Sequence, residues 1–299
     1  MQVLVLGSAA GGGFPQWNSD ARACRRARAG DPDALPRTQA GLAISADGER
    51  WILLNASPDL REQLNRTAAL HPRGGTRSSP IAAVVLTGGD VDVIAGLLTL
   101  RERQPFTLFA TSRVHGILDA NPIFEVLGRD IVARQVLEPN APATVQGCTF
   151  ELFAVPGKVP LFLEQPDTSP PIQVDGTTVG VRVSDGRHRI FYIPGCAAMT
   201  HELASRLDGA DMVFFDGTLW RDDEMIAAGL GSKTGQRMGH ISLSGPDGTL
   251  AAFQSITVGR KIIVHMNNSN PVLLADSLER AEAEAAGWIV GEDGMEFVL

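Results

Sequence analysis

Residues Ile81 to Glu102, IAAVVLTGGDVDVIAGLLTLRE, constrain the fold more than any other stretch. Ile81 to Leu86 is an unbroken apolar run rich in β-branched residues, the pattern of a strand covered on both faces. Thr87-Gly88-Gly89 breaks it, and from Val91 onward Ile94, Leu97 and Leu98 recur at helical spacing. Asp90 and Asp92 therefore stand where a buried strand gives way to a helix. Side chains at the carboxyl end of an α/β strand face the ligand crevice. Helix N-termini also favour acidic side chains through capping and the macrodipole, which accounts for one of the two without a ligand.

Three more apolar runs end in the same way. Arg189 to Ile193 runs into Pro194-Gly195-Cys196, Met212 to Phe215 into Asp216-Gly217, and Ile262 to Val264 into His265. Four strand ends carrying Asp90, Cys196, Asp216 and His265 describe one crevice better than any residue does alone.

Around these strands, Gly41 to Ser45 and Trp51 to Asn55 flank Ala46-Asp47-Gly48, a hairpin signal. Asn55 to Asp59 turns into a polar helix, with Ser57 or Asp59 near its N-cap. Phe106 to Ala110 reads as a strand and Val114 to Leu118 as a helix, while residues 121–180 carry short β-like pieces and no domain linker. Ser277 to Gly287 reads as a helix with a glycine stop. Trp288 to Val290 and Met295 to Leu299 flank Glu292-Asp293-Gly294 as a second hairpin. The expected fold is α/β: an αββα sandwich, two mixed sheets face to face with helices outside, as a single domain over residues 1–299.

Bulk properties narrow the function classes. A hydrophobic fraction of 44% and a charged fraction of 20% fit an ordinary soluble enzyme. The net charge of −8 argues against wholesale nucleic-acid binding, which depends on neutralising phosphates. Three scattered cysteines, Cys24, Cys148 and Cys196, make no disulfide framework and point to a reducing compartment. No apolar run reaches membrane-spanning length, and the start, MQVLVLGSAAGGG, lacks a basic leader, so the expected address is cytoplasmic. Gly7 to Gly13 lacks the G-x-G-x-x-G spacing of a dinucleotide loop and reads as a tight backbone path near a site.

The candidate metal ligands are Asp90, Asp92, Asp216, His240 and His265, with Asp92, His240 and His265 the catalytic set. His265 directly follows a buried strand and precedes polar amides; His240 lies in the glycine-rich GQRMGHIS loop. Cys196 reads as an inert core residue, a ligand or a pocket wall. His71, His115, His188 and His201 read as structural. A mixed His/carboxylate set with open positions resembles non-haem iron sites in ligand type. Thr87, Asp90, Asp92 and Gly96 fit the frame T-H-x-H-x-D-H-x-x-G, the metal-binding signature of the metallo-β-lactamase superfamily. Gly88, Asp90 and Val93 fill the three histidine slots, so a di-zinc hydrolase of that kind lacks its imidazoles.

Taken with GSAAGGGFPQWN (7–18), PRTQ (36–39), LLNASPDLR (53–61), FYIPGC (191–196), FFDGTLWRDDEM (214–225), KTGQRMGHISLSG (233–245) and HMNNSNP (265–271), the chain resembles the pyrroloquinoline quinone (PQQ) biosynthesis protein B family of that superfamily along its whole length. The resemblance implies the αββα fold, a cytoplasmic role in PQQ synthesis and no lactamase activity. It further implies an iron(II)- and oxygen-dependent hydroxylase of the tyrosine in a Glu–Tyr precursor, without ruling on another divalent metal. A carrier of PQQ or its precursor towards the periplasm and a metal-dependent hydrolase are the alternatives. The missing imidazoles count against the hydrolase, and the clustered ligands against the carrier. Substrate contacts are expected from Trp17, Arg25, Lys233, Cys196 and Asn268, with Phe14, Arg22 and Arg26 as further options. Relatives carry extra cysteines after the WN of FPQWN; here only Cys24 remains, so a structural zinc is not expected. The expected partner is a small peptide or amino-acid-derived substrate, with no nucleic acid or membrane insertion; a homodimer is compatible with the sequence.

Overall fold

Alternation along the strands decides the architecture. Val3 and Val5, Leu42 and Ile44, and Ile52 and Leu54 enter one apolar cluster, while Leu4 and Leu6, Ala43, and Trp51 and Leu53 enter another. Successive side chains point to opposite faces of a strand, so runs that are apolar throughout are covered on both sides. The structure, a computed structural model, describes residues 1–164 and 171–299. The segment 165–170 of the proline-rich stretch lies outside the described residues.

The first sheet contains β1 (Gln2–Gly7), β2 (Gly41–Ser45), β3 (Trp51–Leu54), β4 (Ile81–Val85), β5 (Phe106–Ala110) and β6 (Val132–Val136), side by side in that order. The second contains β7 (Pro142–Val145), β8 (Cys148–Ala154), β9 (Val179–Ser184), β10 (Arg189–Ile193), β11 (Ala210–Asp216), β12 (Val258–Val264) and β13 (Trp288–Val290). β14 (Glu296–Val298) pairs antiparallel with β1 at the edge of the first sheet. Strands β3 to β6 run parallel, and so do β10 to β13. One apolar cluster lies between the sheets, including Val5, Phe150, Val181, Tyr192 and Phe214; two others lie under the helices on the outer faces. This is the expected αββα sandwich.

Three local expectations are corrected. The last two strands are not a hairpin: β13 pairs with β12, β14 with β1, and Glu292-Asp293-Gly294 crosses between sheets. Asp293 pins that crossing, accepting hydrogen bonds from the Thr38 amide (2.6 Å), Thr38 Oγ1 (2.7 Å), Ser8 Oγ (2.9 Å) and Arg66 (2.5 Å). The helix after β4 is one α-turn, Val91–Ile94, continuing as a 3₁₀ segment, Ala95–Leu100. Its path is fixed by the loop after β3, because Gly96 N–H donates to Ala56 O (2.8 Å) and Ala56 N–H to Val93 O (2.8 Å). Asp59 holds the N-cap position of the helix Leu60–Arg66 but makes no side-chain cap; its carboxylate accepts from the amide and side chain of Gln39 instead, each at 2.9 Å.

Candidate metal centre

Parallel strands from both sheets end at one cavity. Asn55 follows β3, Asp90 and Asp92 follow β4, Asp216 closes β11 and His265 follows β12. His265 and Asn55 both have left-handed backbones, with φ of 59° and 68°. Such a conformation in a residue with a side chain costs about 1–3 kcal/mol and persists where the surroundings impose it. At Asn55 the restraint is visible: its Oδ1 accepts from the Thr87 amide (2.9 Å), and its Nδ2 donates to Thr87 Oγ1 (2.9 Å) and to the buried Tyr192 hydroxyl (3.4 Å).

Asp216 is wholly buried. Its Oδ2 accepts from the Cys196 amide (2.9 Å) and lies 2.7 Å from His240 Nδ1. Its Oδ1 accepts from the amide (3.0 Å) and hydroxyl (2.7 Å) of Thr218. The same hydroxyl is 3.0 Å from His240 Nδ1 and 2.9 Å from His265 Nδ1. The two imidazoles stack with centroids 5.2 Å apart. On its other edge His265 Nε2 meets Asp92 Oδ2 at 2.9 Å. Burial opposes charge on both partners, but each stabilises the charged form of the other. The His265 pKa consequently sits above, and that of Asp92 below, its ordinary value.

Asp90 is placed differently. Its Oδ1 accepts from the Leu161 amide at 3.2 Å, and burial together with the charge of Asp92 raises its pKa. Donor atoms of Asp216, His240 and His265 all lie within 4.8 Å of one another, with Asp92 in contact with His265. Ligands at about 2.0–2.2 Å from one ion lie roughly 3–4.4 Å apart, close to the spread of these donor atoms. The donor chemistry fits a divalent cation; the three-residue group leaves both Asp90 and Asp92 outside it, Asp92 being joined to it through His265.

The cavity has a volume of about 520 Å³. Gly88, Asp90 and Val93, the residues in the three histidine slots, all line it. Lys158, Glu164 and Lys233 stand in its wall, and Val93, Leu161, Met225 and Met238 supply apolar surface.

Of the expected substrate contacts, only Lys233 lines this cavity. Trp17 is 86% exposed, and Arg25 pairs with Asp20 in solvent. Asn268 is buried behind the site, where it donates to Gln16 Oε1 (2.5 Å) and accepts from the Cys24 thiol (3.6 Å). Cys196 serves Asp216 through its backbone, while burial pushes its thiol up to about 12 and keeps it protonated. Phe14 is a core residue; Arg22 is exposed, and Arg26 binds Asp31 and Asp276. The histidines read as structural lie outside the cavity. Sequence reasoning missed Thr218, Asn55, Lys158 and Glu164. For Thr218 the available signal was a hydroxyl two residues beyond a strand-end aspartate.

Comparison with known proteins agrees with this fold. A family model described as Beta-lactamase superfamily domain matches residues 50–266. A coenzyme PQQ synthesis protein B from Gluconacetobacter diazotrophicus is 59% identical over 302 residues, covering 99% of this chain and 98% of the relative. One from Xanthomonas oryzae pv. oryzae is 54% identical over 299 residues, with 100% of both chains covered. Among solved structures, Zn(2+)-bound PqqB from Methylobacterium extorquens superposes with a TM-score of 0.97 at 52% identity, covering 100% of both. A diphosphatase from the PhnP family, at 20% identity and a TM-score of 0.70 over 99% of this chain and 96% of its own, shares the fold. No helix among the described residues is long and apolar enough to cross a membrane.

Proposed function

The chain belongs to the coenzyme PQQ synthesis protein B family of the β-lactamase superfamily, and from that premise we propose that it acts in PQQ synthesis as an iron(II)- and oxygen-dependent hydroxylase of the tyrosine in a Glu–Tyr precursor. The observation that supports this most is the convergence of two carboxylates and two imidazoles: Asp92, His240 and His265 line a cavity that also carries lysines, and the buried Asp216 lies directly behind His240. Mixed carboxylate and imidazole donors suit iron(II), and the absent imidazoles at Gly88, Asp90 and Val93 disfavour a di-zinc hydrolase.

Asp92, Asp216, His240 and His265 would hold iron(II), which would supply the activation of oxygen; overall, one oxygen atom would go to the ring and the other to water, with two electrons from a reductant and two protons from solvent. The protein does the rest. Asp216 and Thr218 hold the Nδ1 edges of both imidazoles and so fix the rings. Lys233 and Lys158 face the substrate carboxylates, and Val93, Leu161, Met225 and Met238 exclude water around the ring. Asp90 lines the same cavity, where its Oδ1 accepts from the Leu161 amide.

The test is oxygen uptake by iron-loaded protein with reductant, with and without Glu–Tyr. Uptake that requires the dipeptide, and is abolished by Asp92→Asn or His265→Ala, supports the reading. Folded, iron-loaded protein that leaves oxygen and dipeptide untouched but binds finished PQQ tightly is instead a carrier.

A further inference from the structure

Two lysines at the cavity wall share one carboxylate. Lys158 Nζ lies 2.6 Å from Glu164 Oε1, and Lys233 Nζ donates to Glu164 Oε2, one ammonium for each oxygen. The Glu164 side chain is 8% exposed, that of Lys158 12% and that of Lys233 33%. All three line the cavity that holds Asp90, Asp92, His240 and His265. Glu164 follows the short 3₁₀ turn Leu161–Leu163. Leu161, Phe162 and Leu163, just before it, are 66%, 46% and 50% exposed, so their apolar side chains bury little there. Among the described residues, the Leu161 amide donates to Asp90 Oδ1 in the same cavity.

We infer that Glu164 is an internal stand-in for a ligand carboxylate: an incoming dicarboxylate displaces it and takes Lys158 and Lys233. This deepens the proposed function and rests on its reading of the cavity as the substrate site. Two partly buried ammoniums left unpaired are costly, which gives the free protein a reason to keep a carboxylate of its own there. Charge supplies the selectivity. Two lysines against Glu164 leave one positive charge, whereas two ligand carboxylates against two lysines balance once Glu164 has left. A ligand without carboxylates gains nothing from the exchange. Because Leu161 belongs to the displaced segment, exchange also frees Asp90 from its amide. The internal competitor lowers apparent affinity by the fraction of molecules whose lysines are free.

The test is calorimetric titration of the full chain, in oxygen-free buffer so that no turnover occurs, with Glu–Tyr and separately with glutarate. Glu164→Gln and Glu164→Ala should bind both ligands about tenfold more tightly than wild type. Lys158→Met and Lys233→Met should bind both about tenfold more weakly. Circular dichroism reports whether each variant folds. Unchanged or weaker binding of both ligands by folded Glu164 variants overturns the inference, as does absence of binding to any variant. The two readings separate cleanly. If glutarate binds more tightly to the Glu164 variants but iron-loaded protein never oxygenates Glu–Tyr, the hydroxylase falls and the exchange stands. If Glu–Tyr is oxygenated while the Glu164 substitutions leave both affinities unchanged, the exchange falls alone.

Discussion

His265 Nε2 lies 2.9 Å from Asp92 Oδ2, a contact between residues 173 apart in the chain. Asp92 follows a strand of the first sheet and His265 a strand of the second, so this pair closes the seam where the two parallel halves meet. Each sheet alone presents half a site, and the sandwich assembles the whole.

The pair makes metal-free stability depend on pH from both sides. The folded pKa of His265 lies above 6.5, so its contribution is complete below 6.5 and is lost as pH rises through the raised value. That of Asp92 lies below 3.8, so its contribution is complete above 3.8 and is lost as pH falls through the lowered value. The pair therefore stabilises metal-stripped protein most between these limits, by about 2 kcal/mol for a buried charged hydrogen bond. Thermal unfolding against pH should show both limbs, and Asp92→Asn should flatten them. Superimposable profiles for the two proteins would refute the coupling.

Thr218 should matter without being a ligand. Its hydroxyl contacts Asp216 and both Nδ1 atoms, so Thr218→Val removes one restraint from each ring while nearly preserving volume. Metal affinity measured by equilibrium dialysis should fall about 10–100-fold, the usual effect of losing an outer hydrogen-bond partner. Unaltered affinity would show that Asp216 and Asp92 fix the imidazoles without the Thr218 hydroxyl.

Gly96 and Gly116 make opposite predictions for the same substitution. A Cβ on Gly96 would stand 2.1 Å from Ser57 O, a backbone atom with no room to yield, so Gly96→Ala should destabilise by about 2–4 kcal/mol. Gly116 lies in the helix Ser112–Asp119 with nothing within 4 Å, so Gly116→Ala should stabilise by about 0.5–1 kcal/mol. Urea unfolding of both variants checks the pair, and equal midpoints would contradict the stated packing.

Much of this was readable because burial on both faces leaves a continuous signal. The runs ending at Asp90, Asp216 and His265 gave the strands and, through parallel α/β geometry, their common crevice. What was not readable depends on distant partners. Glu292-Asp293-Gly294 has the local chemistry of a tight turn, yet Asp293 is claimed by Ser8, Thr38 and Arg66, and the strands it joins part company. Trp17 adjoins a glycine loop as a substrate aromatic might be expected to, but Phe14 takes the buried place and Trp17 faces solvent. Glu164 and Lys233 are 69 residues apart, a pairing that no local pattern announces.

The measurement closest to the central claim is the mass of Glu–Tyr recovered after incubation with iron-loaded protein, reductant and isotopically heavy oxygen gas. Wild type should yield a dipeptide carrying heavy oxygen on the phenol ring, and His265→Ala should not. Unlabelled, unchanged Glu–Tyr from folded protein with iron bound would contradict it.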